Sequence, residues 1–76
     1  MEKHDLLHEF PQYREKIHDL KTQNAHFRKL FDDYHKTDHH IHRIESGAEI
    51  AIDEHLNKLR THRVFLKDQL YNLLQQ

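Results

Sequence analysis

Apolar residues recur along this chain at helical spacing. Phe10, Tyr13, Ile17 and Leu20 lie three, four and three positions apart, which places them on one face of a helix. Pro11 stands at the start of that run, where the N–H it lacks has no intrahelical partner in any case. The pattern predicts a helix over about 11–22, with Leu6 and Leu7 as apolar residues ahead of it. A second series, Phe27, Leu30, Tyr34, Thr37, Ile41 and Ile44, alternates gaps of three and four, as heptads do. It predicts a helix over about 25–45, with Phe31 beside the seam and Thr37 as its polar weak link. A third series, Ile52, Leu56, Leu59, Arg63, Leu66, Leu70 and Leu73, has the same alternation and predicts a helix over about 50–75. Arg63 is the charged member of that seam, and Phe65, Tyr71 and Leu74 widen its apolar face. Asp32 with Lys36, and Glu54 with Lys58, form i,i+4 pairs in the favourable order on the outer faces.

The breaks between these runs carry their own signals. Asn24 follows the polar stretch Lys21-Thr22-Gln23 and is a strong N-cap, so the chain is expected to kink or break there. Ser46-Gly47 marks a turn over about 46–49. Gly suits the left-handed position just past a helix end, and Ser46 with Glu49 matches a capping box for the next helix. One continuous helix through Gly47 is the rival, at a cost of about 1 kcal/mol relative to Ala. In that case Ile44, Ala48, Ile52 and Leu56, all four apart, break the heptad register. The expected fold class is therefore all-α, a single domain over residues 1–76. A short N-terminal helix precedes an antiparallel, coiled-coil-like two-helix hairpin whose long helices each span ~30 Å. Two helices alone leave half of each seam wet. The first helix covers part of it, and a second copy of the chain is expected to cover the rest, as a two-fold homodimer.

Composition narrows the possible roles. In 76 residues a single core supplies about 3–5 kcal/mol, and small scaffolds usually add a staple. The absence of Cys removes disulfides, thiolate metal sites and thiol nucleophiles, leaving a metal or self-association. Twelve Lys and Arg against thirteen Asp and Glu are interspersed, with no basic block to neutralise phosphates, so nucleic acid is not an expected partner. No apolar run approaches the ~18 residues of a membrane span, and the first residues lack a signal-peptide core. The expected location is the cytosol, with no membrane association. Carboxylates are plentiful at Asp32, Asp33, Asp38 and Glu45, but a hairpin of this size is expected to lack the pocket that desolvates catalytic groups. The chain is read as not an enzyme.

Ten His are the compositional oddity. His35, His39 and His42 share one helix face at i, i+4 and i+7, a spacing that can place two or three imidazoles on one Zn²⁺ or Ni²⁺. His4 and His8 make a second i,i+4 pair. The more ordinary account is a solvated surface with adventitious Zn or Ni affinity and no resident cofactor, since such spacings arise easily among ten His. Protonated together below imidazole's ordinary pKa of about 6.5, His39, His40 and His42 would repel one another and loosen the assembly. Among the aromatics, Phe65 sits beside the seam rather than in it. With Tyr71 it is the candidate anchor for a partner protein, the alternative being a core or dimer contact for both.

The run Phe10-Pro11-Gln12-Tyr13-Arg14, then Ile17, Leu20-Lys21, Asn24, Phe27, Leu30-Phe31 and Tyr34, resembles the opening of the YdcH family. Leu59, Arg63, Leu66-Lys67-Asp68, Leu70-Tyr71 and Leu74 resemble its close, so the likeness covers about residues 7–75. The resemblance implies a short bacterial cytosolic helical protein of unknown function, often with a variable loop where Ser46-Gly47 lies. Some members carry a GTP-binding label. This chain has one Gly and no Gly-x-x-x-x-Gly-Lys-Ser/Thr loop, so that label finds no phosphate cradle here. Two departures stand out: Thr37 where the family usually has Leu before Asp38, which is expected to loosen the seam, and the wealth of His. The expected function is a non-catalytic interaction and oligomerisation module, the alternative a His-rich transition-metal-binding protein.

Overall fold

In the computed structural model, which describes residues 6–76, a single turn α1 (Leu6–Glu9) leads into a 3-10 turn over Pro11–Tyr13, and this continues into α2 (Arg14–Gln23). Two long helices follow, α3 (Ala25–Glu45) and α4 (Asp53–Leu74). Every regular element among the described residues is helical.

Asn24 both ends α2 and begins α3. Its backbone is extended at φ −127° and ψ 106°. Its N–H donates to the Leu20 carbonyl at 2.9 Å, and its side-chain oxygen accepts from the Phe27 N–H at 3.0 Å. That second bond satisfies one of the N–H groups a helix start leaves without a partner. Asn24→Ala is expected to cost about 1 kcal/mol, read as a fall of about 4–8 °C in melting temperature. A change within one degree would show that the break at residue 24 does not depend on this cap.

The far end of α3 closes on Gly47, whose φ of +85° is the left-handed conformation that Gly adopts without a Cβ penalty. The Ser46 and Gly47 N–H groups donate to the carbonyls of His42 and Ile44, at 2.9 and 3.2 Å. Beyond this point the structure corrects the expected layout. No capping box forms. The Ser46 hydroxyl donates to the Arg43 carbonyl at 3.2 Å, the Glu49 N–H donates to that same carbonyl at 3.0 Å, and the Glu49 carboxylate meets His40 and Arg43. With Glu49 held against the end of α3, it cannot serve the first turn of a new helix. The connection therefore runs on to Ile52, and α4 starts at Asp53 rather than at about residue 50. Ile52, assigned by spacing to the third seam, is 70% exposed, and Ile50 is 97% exposed. Ile52 makes no side-chain cap; Asp53 and Glu54 instead place negative charge in the first turn, where it favours the helix dipole.

The core draws on all four helices. Leu6, Ile17, Phe27, Tyr34, Leu66, Leu70 and Leu74 form one buried cluster, ringed by the half-buried Phe10, Tyr13, Leu20, Leu30, Phe31 and Leu73. Ile41 is buried as well. The heptad positions Phe27, Tyr34 and Ile41 thus face inward as their spacing requires. Thr37 is also buried, and its hydroxyl donates to the Asp33 carbonyl at 2.8 Å, so the expected weak link leaves no polar atom unsatisfied. Polar ties join the elements. Arg63 meets Asp38 at 2.8 Å and Arg60 meets Glu45 at 3.0 Å between α4 and α3. Lys67 of α4 approaches Glu9 at 3.7 Å, and Lys16 donates to the Gln76 carbonyl.

Candidate functional site

Three groups of side chains are candidates for function: a buried charge cluster between α3 and α4, a clasp at their connection, and the exposed apolar residues. The charge cluster centres on Asp38, which is 7% exposed. One carboxylate oxygen lies 2.8 Å from an Arg63 guanidinium nitrogen, and the other 3.5 Å from Nε2 of His42, one turn further along α3. A carboxylate taken out of water is stable only where such partners compensate it. Spacing placed Arg63 in the third seam but did not pair it. The signal was present: a single charged seam residue on one helix facing an acid at the edge of the other helix's seam.

The clasp joins three segments. The Glu49 carboxylate, from the connection, lies 2.5 Å from Nε2 of His40 and 3.7 Å from Arg43, both near the end of α3. The His55 ring, in the first turns of α4, stands 5.6 Å from the His40 ring, centroid to centroid, at an interplanar angle of 63°. This juxtaposition has no sequence signal, because residues 40, 49 and 55 share no helical period.

The spacing-based metal candidates fare differently from one another. His35 has both ring nitrogens engaged within the chain: Nδ1 is 2.9 Å from the Phe31 carbonyl, and Nε2 is 3.4 Å from the Leu6 N–H. Its ring also packs 4.3 Å from that of Phe31. His39 is exposed, and His42 sits beside Asp38. Among the described residues, no three His, Cys, Asp or Glu side chains stand ready around one metal position. The pair His4/His8 involves His4, which lies outside the described residues. Of the three neighbouring imidazoles, His40 faces Glu49, His42 faces Asp38 and His39 is exposed.

The aromatic candidates separate as well. Tyr71 is half-buried and stacks on Phe10 at 5.0 Å, with Tyr13 edge-on at 6.2 Å, so it belongs to the packing that holds the N-terminal elements onto α4. Phe65 is 56% exposed and its neighbour Val64 52%, while the exposed His62 ring lies 6.5 Å from that of Phe65. An open groove of about 650 Å³ runs beside α2, lined by Leu7, Arg14, Ile17, His18, Lys21 and Phe31. Lys21 spans it, with its ammonium 4.5 Å above the Phe31 ring. Glu15 and Asp19, its acidic members, are exposed to water. Among the described residues no helix is long and apolar enough to cross a membrane.

The family model described as "Protein of unknown function (DUF465)" matches residues 27–74, which span α3, the connection and α4. The Uncharacterized protein YdcH of Escherichia coli (strain K12) is 36% identical over 67 residues, covering 88% of this chain and 90% of the relative. The protein of the same name from Shigella flexneri matches to the same extent. No solved structure matches.

Proposed function

This chain belongs to the YdcH-like family of unknown function (DUF465), and from that premise we propose that it works as a non-catalytic cytosolic interaction module. In this reading α3 and α4 form an antiparallel hairpin. The order of their ion pairs supports it, since Glu45, late in α3, meets Arg60, and the earlier Asp38 meets the later Arg63. The observation that carries the functional reading is the exposed pair Val64 and Phe65 on the outer face of α4. Aromatic residues anchor protein interfaces out of proportion to their number, and here an aromatic ring is left in water by a chain that has few apolar residues to spare for a core. The face is suited to a helix of a second copy, as a two-fold dimer, or to another protein.

Phe65→Glu tests this with tag-free protein in chelator. Light scattering is expected to give a dimer for the parent chain and a monomer for the variant, with the melting transition moved by no more than about 0.5 kcal/mol, as for surface changes. A parent chain that is monomeric in chelator excludes self-association through this face. A variant that loses helix and assembly together places Phe65 in the fold rather than on a docking face. Tyr71→Ala is the informative contrast: because Tyr71 stacks on Phe10, it is expected to lower stability whatever the assembly state.

A further inference from the structure

We propose that His40, Glu49 and His55 form a binding site for one transition-metal ion of the Zn²⁺ or Ni²⁺ class, stapling the connection to both long helices. The proposal does not depend on the interaction-module reading. The three side chains come from three segments: the end of α3, the connection, and the first turns of α4. The separation of the two imidazole rings already suits an ion. Imidazoles that share a tetrahedral metal at about 2.0–2.1 Å place their ring centres a little over ~5 Å apart, and the His40 and His55 rings are 5.6 Å apart. Glu49 Oε2 lies 2.5 Å from His40 Nε2. Donor atoms on one tetrahedral ion stand ~3.3 Å apart, so the present contact is the hydrogen-bonded form of the site. On binding, the ion takes the place of the hydrogen bond between Nε2 and Oε2: Nε2 offers its lone pair with the imidazole proton carried on Nδ1, and imidazole and carboxylate spread by under ~1 Å. No three ligands surround one point beforehand, so the site closes on its ion, and three protein ligands leave a fourth position for water.

Charge and access are consistent with this. The His40 and Glu49 side chains are 30% and 39% exposed, and His55 is exposed, so an ion reaches them from solvent. Arg43 opposes a cation here, but it approaches the other carboxylate oxygen, Oε1, at 3.7 Å, leaving Oε2 to the metal side. Asp53 and Glu54, in the same first turn of α4, add negative charge nearby. His35 is poorly placed to compete, since both of its ring nitrogens already serve the fold. The consequence is mechanical. Residues 46–52 are held to α3 by Glu49, but α4 begins without a side-chain cap. A metal that joins His55 to His40 and Glu49 supplies the staple a chain of this size without Cys otherwise lacks.

The test is calorimetric titration of the tag-free full chain with ZnCl₂ near pH 7.5, paired with thermal melts. One equivalent is expected to bind at low-micromolar Kd or tighter. At a hundredfold excess of free metal over Kd, the melting temperature is expected to rise by roughly 10–20 °C. His40→Ala, His55→Ala and Glu49→Gln should each weaken binding at least tenfold and abolish the thermal shift, while keeping the parent's helical signal. The double variant His35→Ala/His39→Ala should still bind the ion. Heats equal to those of buffer overturn the proposal. So does parent-like affinity in His55→Ala, or a loss confined to the His35/His39 variant, which would place the ion on the face of α3.

Discussion

Phe27→Ala is expected to unfold the protein at room temperature. The Phe27 side chain has no solvent exposure and lies in the one buried cluster, with Leu6, Ile17, Tyr34, Leu66, Leu70 and Leu74, and its ring stacks on Phe31 at 6.3 Å. Truncating a buried Phe to Ala costs about 3–5 kcal/mol, through lost transfer energy and the cavity left behind. A core of this size supplies only about that much in total, so little helix should remain in circular dichroism. Phe65→Ala, with the same atoms removed from a ring 56% exposed, should change stability by less than about 1 kcal/mol. The contrast matters more than either value. Equal losses would mean that the two rings are buried alike in solution, and that an assembly covers Phe65. A parent-like melt for Phe27→Ala would show that the cluster around it is not what holds the helices together.

The second large effect is expected at Asp38. Asp38→Ala strands the Arg63 guanidinium, whose side chain is 21% exposed and whose acidic partner at 2.8 Å is then gone. Removing one partner of a buried pair costs about 3–5 kcal/mol, and the partial exposure of Arg63 lowers this to about 2–4 kcal/mol here. His42, 3.5 Å from the same carboxylate, loses its acid in the same substitution. Replacing both partners, Asp38→Leu with Arg63→Leu, should recover most of the loss, because two apolar side chains of similar bulk need no compensation. Chemical denaturation of the two single variants and the double closes the cycle. A coupling near zero would show that the pair contributes nothing beyond its separate side chains. The expected coupling of more than about 1 kcal/mol would identify the pair as a register pin, since sliding α4 by one turn along α3 separates the two charges and buries both.

Much of the local structure was legible because it depends on near neighbours in the chain. Pro11 at the opening turn, Asn24 as cap and break, and Gly47 in the left-handed conformation each follow from a backbone preference of one residue type. The inward faces of α3 and α4 follow from helical geometry, which turns heptad spacing into a stripe. The start of α4 was less legible. Ser46 and Glu49 have the spacing of a capping box, but Glu49 has a stronger use, because His40 and Arg43 stand within reach at the end of α3. A charge-assisted contact across the turn outweighs a local cap when the two compete for one carboxylate. The candidate sites divide in the same way. His35, His39 and His42 share a face by period, yet their surroundings separate them: one is tied to Leu6 and Phe31, one faces solvent, and one lies against Asp38.

By itself, the sequence determined that this protein is helical, that the chain breaks at Asn24 and α3 ends before Gly47, which residues of each helix form a stripe, and the family it belongs to. These are properties of short-range geometry and of residue identity, and no partner is needed to read them. Only the tertiary structure decided which polar residues meet: Arg63 with Asp38, Glu49 with His40, His40 with His55, and Tyr71 with Phe10. Those meetings join residues as few as nine and as many as sixty-one positions apart, at a register set by packing the whole core. A helical period reports the direction of a side chain around its own axis, but the neighbour it meets depends on where the other helix lies.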